Sequence, residues 1–209
     1  MSGSHGQALK IGVLASGSGS NLQSIIDTIE AGKLPVRIAC VVSNNATAFA
    51  LERAKRHGIP TLHIDHRIFS GREAYDAAIV ETLHEHGVQL VVLAGFMRII
   101  TPVLLDAFPS AIMNIHPALL PAFPGLHAQR QAIDYGAKVS GCTVHFVDAG
   151  TDTGPIIIQA AVPVHEGDTE ETLSARILIE EHRSYPEAIR LFAAGRLRIE
   201  GRRVVITPA

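Results

Sequence analysis

The sequence contains only two cysteines, Cys40 and Cys142, and both lie inside apolar runs. A disulfide framework and the usual cysteine spacing of a metal site are thereby excluded, and both thiols read as small buried hydrophobes in a reducing compartment. No apolar run is long enough to span a bilayer, so no membrane partner is expected. Basic excess is missing too: 18 Lys and Arg stand against 20 Asp and Glu, a formal net charge of −2. A nucleic-acid binder usually shows the opposite balance, so no nucleic-acid partner is expected. The opening MSGSHGQALK lacks a signal-peptide core and reads as a flexible tail over positions 1–9, which makes the cytoplasm the expected location. Repeats, low-complexity tracts and linkers are also lacking, and 209 residues suit one domain spanning 1–209.

What is present is a globular composition, 47% hydrophobic and 18% charged, arranged as alternating strands and helices. Ile11–Ala15 predicts a strand, followed by a glycine–serine turn and a helix from about Asn21 to Ala31. Val36–Val42 is a strand, ATAFALERAKRHG a helix, Thr61–Ile64 a short strand and Arg72–His86 a helix. Leu90–Ala94 and Ala111–Ile115 are strands on either side of a short helix, Pro102–Ala107. The strands are nearly continuous apolar runs, as expected when helices cover both faces of a parallel sheet. After Gly136 two longer strands, KVSGCTVHFV and PIIIQAAVPV, are joined by the turn DAGTDTG. DTEE at 168–171 predicts a capping box, with Asp168 or Thr169 as cap and Glu171 as partner, opening a long helix that Pro186 should bend or restart. LRIEGRRVVI predicts a hairpin turned at Gly201. The fold class is therefore α/β: a doubly wound, mostly parallel sheet with helices on both faces, a Rossmann-like N-terminal half and an antiparallel addition near the C-terminal half. In such sheets ligands bind beyond the carboxyl ends of the strands, which selects the loops SGSGSN, SNN, GFMRII and NIHP.

The loop ASGSGSN lacks the third glycine of the dinucleotide fingerprint, where Leu22 stands, and no acid follows the second strand. NAD binding is disfavoured. Glycines at a helix start still suit an anion, so Gly19, Ser20 and Asn21 are candidates for a phosphate. In NIHP, Asn114 and His116 stand two apart, so an extended chain points both side chains the same way at the ligand edge. Pro117 holds His116 extended. The turn DAGTDTG offers two acids, Asp148 and Asp152, and turn acids usually serve local hydrogen bonds. A carboxylate near His116 would favour its charged form near neutral pH. An amide donor, an imidazolium and a carboxylate suit acyl transfer, in which a tetrahedral oxyanion is stabilised and a proton is passed to the leaving group. No Ser or Cys nucleophile accompanies them, which suggests direct transfer from donor to acceptor.

The segments SGSGSNLQSIID, SNNATAFALERAKRHGIP, SGREAYD, VVLAGFMRII, NIHPALLPAFPGLHAQRQA, GCTVHFVDAGTDTGPIIIQAAVPV and EEHRSYPEAIRLFAAGRL occur in that order. Over about Lys10 to Leu197 the chain resembles the folate-dependent phosphoribosylglycinamide formyltransferases. The resemblance implies transfer of a formyl group from 10-formyltetrahydrofolate, a co-substrate, to a glycinamide ribonucleotide in purine biosynthesis, with no metal required. It implies Asn114, His116 and Asp152 as catalytic residues, and Gly19, Ser20, Asn21 and Glu181 as contacts to the phosphate and ribose. For the folate it implies Arg72, Met97, Arg98, Ile99, Ile100, Asn114, Asp148, Ala149, Gly150, Thr151 and Asp152. His127 either orients the transferred group or starts a helix. Leu178 stands where the family often carries a polar residue, which argues against a side-chain contact to the nucleotide there.

Related formyl-folate enzymes are the nearest rivals. A formyltetrahydrofolate deformylase usually has a regulatory domain ahead of the catalytic one, and a methionyl-tRNA formyltransferase has an RNA-binding domain after it. About nine residues precede the first strand here and the composition is slightly acidic, so both are disfavoured. A non-catalytic folate- or nucleotide-binding protein would lack one of the three catalytic residues, and none is lacking. Small-molecule substrates are the expected partners, with monomer and homodimer left open.

Overall fold

Strands that are apolar on both faces need a helical layer on each side, and the chain supplies two. A computed structural model describes residues 8–208. Five parallel strands, β1 (Leu9–Leu14), β2 (Val36–Ser43), β3 (Thr61–His63), β4 (Leu90–Leu93) and β5 (Ile112–His116), continue into antiparallel β6 (Val139–Phe146) and β7 (Ile156–Pro163). A hairpin of β8 (Leu197–Glu200) and β9 (Arg203–Ile206), turned at Gly201, adds to β7 through β9. The sheet order is β3-β2-β1-β4-β5-β6-β7-β9-β8. This is the expected class, with the strand order reversing between β1 and β4, where a ligand crevice is expected in such folds.

Helices α1 (Ser20–Glu30), α2 (Phe49–Arg56) and α6 (Glu170–Ala193) cover one face, and α3 (Arg72–Glu85) and α4 (Pro102–Ala107) the other; α5 (Ala128–Tyr135) packs against α6. Strand β4 shows why the runs must be continuous. Leu90 and Val92 enter the core with Leu22, Ile25 and Ile177, whereas Val91 and Leu93 enter the core with Tyr75, Ile79 and Leu104. Both cysteines are fully buried and free, and burial pushes each thiol up to about 11.

Four local expectations change. Leu9, assigned to the tail, opens β1, while residues 1–7 lie outside the described residues. Helix α2 starts only at Phe49, because the Asn45 carboxamide accepts from the Thr47 amide and closes a turn ahead of it. The capping box of α6 pairs Thr169 with Thr172, not Glu171: each hydroxyl accepts from the other residue's amide. Asp168 is unavailable as the cap because its carboxylate holds Arg176 and the His165 amide. Pro186 does not restart α6, which runs on to Ala193 with Tyr185, Ala188 and Ile189 fully buried around the proline. Their packing outweighs the single hydrogen bond that the proline removes.

Tyr185 also ties α6 to the ligand edge. Its buried hydroxyl lies 2.9 Å from the carbonyl oxygens of both Leu93 and Met113, the latter preceding Asn114. Tyr185→Phe keeps the ring and removes that donor, so it is expected to cost about 1–3 kcal/mol. A shift in the urea midpoint with an unchanged slope would check it; no shift would remove the hydroxyl from the account of β5.

Candidate active site

The loop between β1 and α1 is shaped by what happens to its carbonyls. Those of Ser16, Gly17 and Ser18 are all drawn back toward segment 45–53. They accept from Asn45 Nδ2 at 3.4 Å, the Ala50 amide at 3.0 Å and Arg53 Nε at 2.9 Å. Gly19 then takes φ 70°, and a side chain there would meet Ala50 at 2.7 Å, so glycine is required on two counts. With the carbonyls turned away, the amides of Gly19, Ser20 and Asn21 lie at a helix start, where no intrahelical acceptor exists. They line a cavity of about 240 Å³ together with Ser16, Ala94, Gly95 and Met97. That is a suitable seat for an anion.

Asn21 and Glu181 meet beneath this cavity. Asn21 Nδ2 donates to Glu181 Oε2 at 2.7 Å, and its buried Oδ1 has no partner. Burial pushes the Glu181 carboxyl up, against the pull of Asn21. Glu181 thus sits under the loop with one oxygen already engaged, rather than among the residues that line the cavity. Leu178 is half-buried on the same helix. A second cavity, about 250 Å³, opens near Ile26, Ile29, Val36 and His57 at the amino end of β2 and contains none of the candidate residues.

At the carboxyl end of β5 four polar side chains converge. The register sets Asn114 opposite His145 and His116 opposite Thr143 on β6. Asp152, in the turn after β6, reaches Asn114, His145 and His116, the other three of the four, from a left-handed conformation at φ 54°, which Asp tolerates better than most residues. Its Oδ2 accepts from the Gly125 amide at 2.8 Å and lies 3.3 Å from His116 Nδ1. Its Oδ1 accepts from Asn114 Nδ2 at 3.4 Å and lies 3.7 Å from His145 Nε2. Burial pushes the Asp152 carboxyl up, but His145, the Gly125 amide and His116 outweigh burial and hold it below the ordinary carboxylate value. The group is therefore ionised at neutral pH.

His116 is 4% exposed, and its Nε2–H donates to the Phe123 carbonyl at 2.8 Å. Both ring nitrogens thus face acceptors, Nδ1 the Asp152 carboxylate and Nε2 the Phe123 carbonyl. Both hydrogens of the Asn114 amide are engaged inside the cluster as well, one on Asp152 and one at 3.3 Å from His145 Nε2. His145 was not singled out from the sequence. The available signal was its i, i+2 spacing from Thr143 on a strand ending in the acidic turn, but its partner Asn114 follows only from the cross-strand register. Thr143 anchors the proline loop: its hydroxyl donates to the Ala118 carbonyl at 2.7 Å and accepts from the Leu120 amide at 3.0 Å.

The remaining candidates divide. Asp148 serves its own turn, accepting from the Gly150 amide at 3.0 Å and the Thr153 hydroxyl at 2.6 Å, while Ala149, Gly150 and Thr151 are exposed. Met97 and Ile99 are each 64% exposed at the ligand edge, with Ile100 half-buried between them and α4. Arg98 lies over the Tyr75 ring at 5.6 Å from its centroid, and Arg72 is exposed at the first turn of α3. Burial raises the Asp76 carboxyl against the pull of Thr101 and of both guanidinium groups. His127 stands ahead of α5 at φ 57°, exposed, with Nδ1 3.4 Å from Glu170 Oε1. Among the described residues no group of three or more His, Cys, Asp or Glu could hold a metal ion, and no helix is long and apolar enough to cross a membrane.

A mostly parallel sheet that sets an Asn-x-His strand end and an acidic turn beside a glycine loop defines a class of group-transfer enzyme. The chain belongs to the formyl transferase family, whose model matches residues 9–189. It is 46% identical over 191 residues to the phosphoribosylglycinamide formyltransferase of Escherichia coli strain K12, covering 91% of this chain and 90% of that protein. It is 49% identical over 191 residues to the trifunctional purine biosynthetic protein adenosine-3 of Drosophila pseudoobscura pseudoobscura, covering 90% of this chain and 14% of that longer protein. The crystal structure of glycinamide ribonucleotide transformylase 1 from Symbiobacterium toebii superposes with a TM-score of 0.96 at 61% identity, covering 98% of this chain and 96% of that one.

Proposed function

We propose that the chain transfers the formyl group of 10-formyltetrahydrofolate to the glycinamide amine of 5′-phosphoribosylglycinamide, a step of purine biosynthesis in the cytoplasm. The observation that carries this reading is the largely buried Asn114–His116–Asp152 cluster at the end of β5, on the same sheet edge as a loop of free amides after β1 and, after β4 between them, a loop with exposed apolar side chains and a guanidinium. The phosphate goes to Gly19, Ser20 and Asn21, with Glu181 holding Asn21 and presenting its other oxygen toward the ribose. Met97 and Ile99 suit an aromatic ring system, the backbone of 97–100 and 148–152 its polar edge, and Arg72 and Arg98 the carboxylates of a glutamate tail.

In the reaction the amine lone pair attacks the formyl carbon, and the carbonyl π electrons move onto oxygen. Asn114 Nδ2–H and a His116 N–H donate to that oxyanion. The Asn114 contacts, 3.3 and 3.4 Å, are long, so an oxyanion competes well for the same hydrogens. His116 contributes when the Phe123 carbonyl gives up its hydrogen. Collapse breaks the bond to the folate nitrogen, which gains one proton as the amine loses one, and the His116–Asp152 pair carries that exchange. All these groups come from one chain, so the reading holds for a monomer or a homodimer.

Mixing the protein with 10-formyltetrahydrofolate and the ribonucleotide, and following the folate absorbance, tests the reading. A change only when both are present is expected. No change would leave a binding protein, and a change without the nucleotide would make it a hydrolase. Within that assay Asn21→Ala is expected to raise the nucleotide KM about tenfold, the scale of a hydrogen bond to a charged group, and to leave the folate KM within about twofold. Equal changes in both constants would remove the phosphate from this loop.

A further inference from the structure

The two loops assigned to the two substrates are joined through one side chain. Ser16 follows β1 and opens the glycine loop; Met97 opens the 97–100 loop after β4. Ser16 Oγ accepts from the Met97 amide at 2.8 Å and donates to Asn44 Oδ1 at 2.6 Å. The Ser16 amide in turn donates to the Gly95 carbonyl at 3.0 Å. One hydroxyl has a single hydrogen to give, so the direction is set: Asn44 takes it, and the lone pairs are left for Met97. The loops are thus latched at the point where the strand order reverses, and both Ser16 and Met97 line the same cavity of about 240 Å³.

The far end of the 97–100 loop is fixed independently. Buried Asp76 accepts from the Thr101 amide at 2.6 Å, so the loop is pinned at Thr101 to α3 and at Met97 to the glycine loop. An anion drawn onto the amides of Gly19 to Asn21 loads the loop that carries Ser16. A ring system laid on 97–100 loads the loop that Ser16 holds. Ordering either one lowers the cost of ordering the other, which is positive coupling without a change of fold.

We propose that Ser16, oriented by Asn44, is a positioning residue that couples nucleotide binding to folate binding. The inference rests on the substrate assignment above. Calorimetry with 5′-phosphoribosylglycinamide and tetrahydrofolate, which has no formyl group to give up and so permits no turnover, reads the coupling directly. In the parent protein the nucleotide Kd is expected to fall at least about fivefold when tetrahydrofolate is saturating, with the same factor in reverse. In Ser16→Ala, and separately in Asn44→Leu, that factor should drop to within about twofold of unity; Asn44→Asp, which retains an acceptor for the hydroxyl, should keep it. A merely structural loss would weaken each ligand alone and leave the ratio intact. Both ligands binding the parent with a ratio of one would overturn the proposal, as would an undiminished ratio in both Ser16→Ala and Asn44→Leu. Failure of the parent to bind either ligand would instead overturn the substrate assignment, and the coupling with it.

Discussion

His116→Ala is expected to lower kcat by roughly a thousandfold, the scale of a lost oxyanion donor and proton carrier, with the nucleotide Kd nearly unchanged. The asymmetry follows from where the ring sits. His116 touches Asp152 and the Phe123 carbonyl at the end of β5, whereas the proposed anchor for the nucleotide is the cavity of amides after β1. An interaction made only as charge develops on the formyl oxygen lowers kcat when it is removed; ground-state binding of a distant phosphate does not change. Removing a buried ring also leaves Asp152 with one imidazole fewer, so some stability is lost as well. Nucleotide calorimetry on the variant separates the effects, since a misfolded site would not bind. A loss of less than about tenfold in kcat, with binding intact, would remove His116 from the chemistry.

How much of this was legible in the sequence differs from residue to residue. The run at Leu90–Leu93 was legible because each side chain in turn meets a different helical layer, which demands continuous apolar character, and Ile112 and Met113 repeat that alternation until polar Asn114 breaks it. Asn114 and His116 were legible as a pair because i, i+2 spacing in a strand is a local property. The choice between Asp148 and Asp152 came only with the family resemblance and not from the residues themselves. Both are acids in one turn, and only the folded turn shows Asp148 spent on Gly150 and Thr153 while Asp152 reaches across to β5. His145 escaped because its meaning lies in the antiparallel register with Asn114, thirty-one positions away in sequence. The same holds for the carbonyls of 16–18, whose partners at 45, 50 and 53 arrive only when β2 and α2 pack beside β1. Glu181 could be placed on a helix but not at a depth, since its burial depends on α6 packing against α1.

Asp152→Asn is expected to lower kcat by roughly a hundredfold to ten-thousandfold and to change how stability depends on pH. The substitution is nearly isosteric and retains an acceptor for the Gly125 amide, but it removes the charge shared by His116 at 3.3 Å and His145 at 3.7 Å. The stability effect has a definite sign. Because the carboxyl is held below its ordinary value in the folded protein, its ionised form contributes stability that is fully present above the unfolded carboxyl range, about pH 4. That contribution is lost as pH falls through the lowered folded value. The variant should therefore be less stable than the parent at neutral pH, with the gap closing as acid protonates the parent's Asp152. Urea midpoints between neutrality and the acid limit of folding measure that gap, and steady-state turnover measures the fall in kcat. A gap that stays constant as pH falls would leave Asp152 as a brace for the turn, because only a carboxyl held below its ordinary value makes the difference depend on pH.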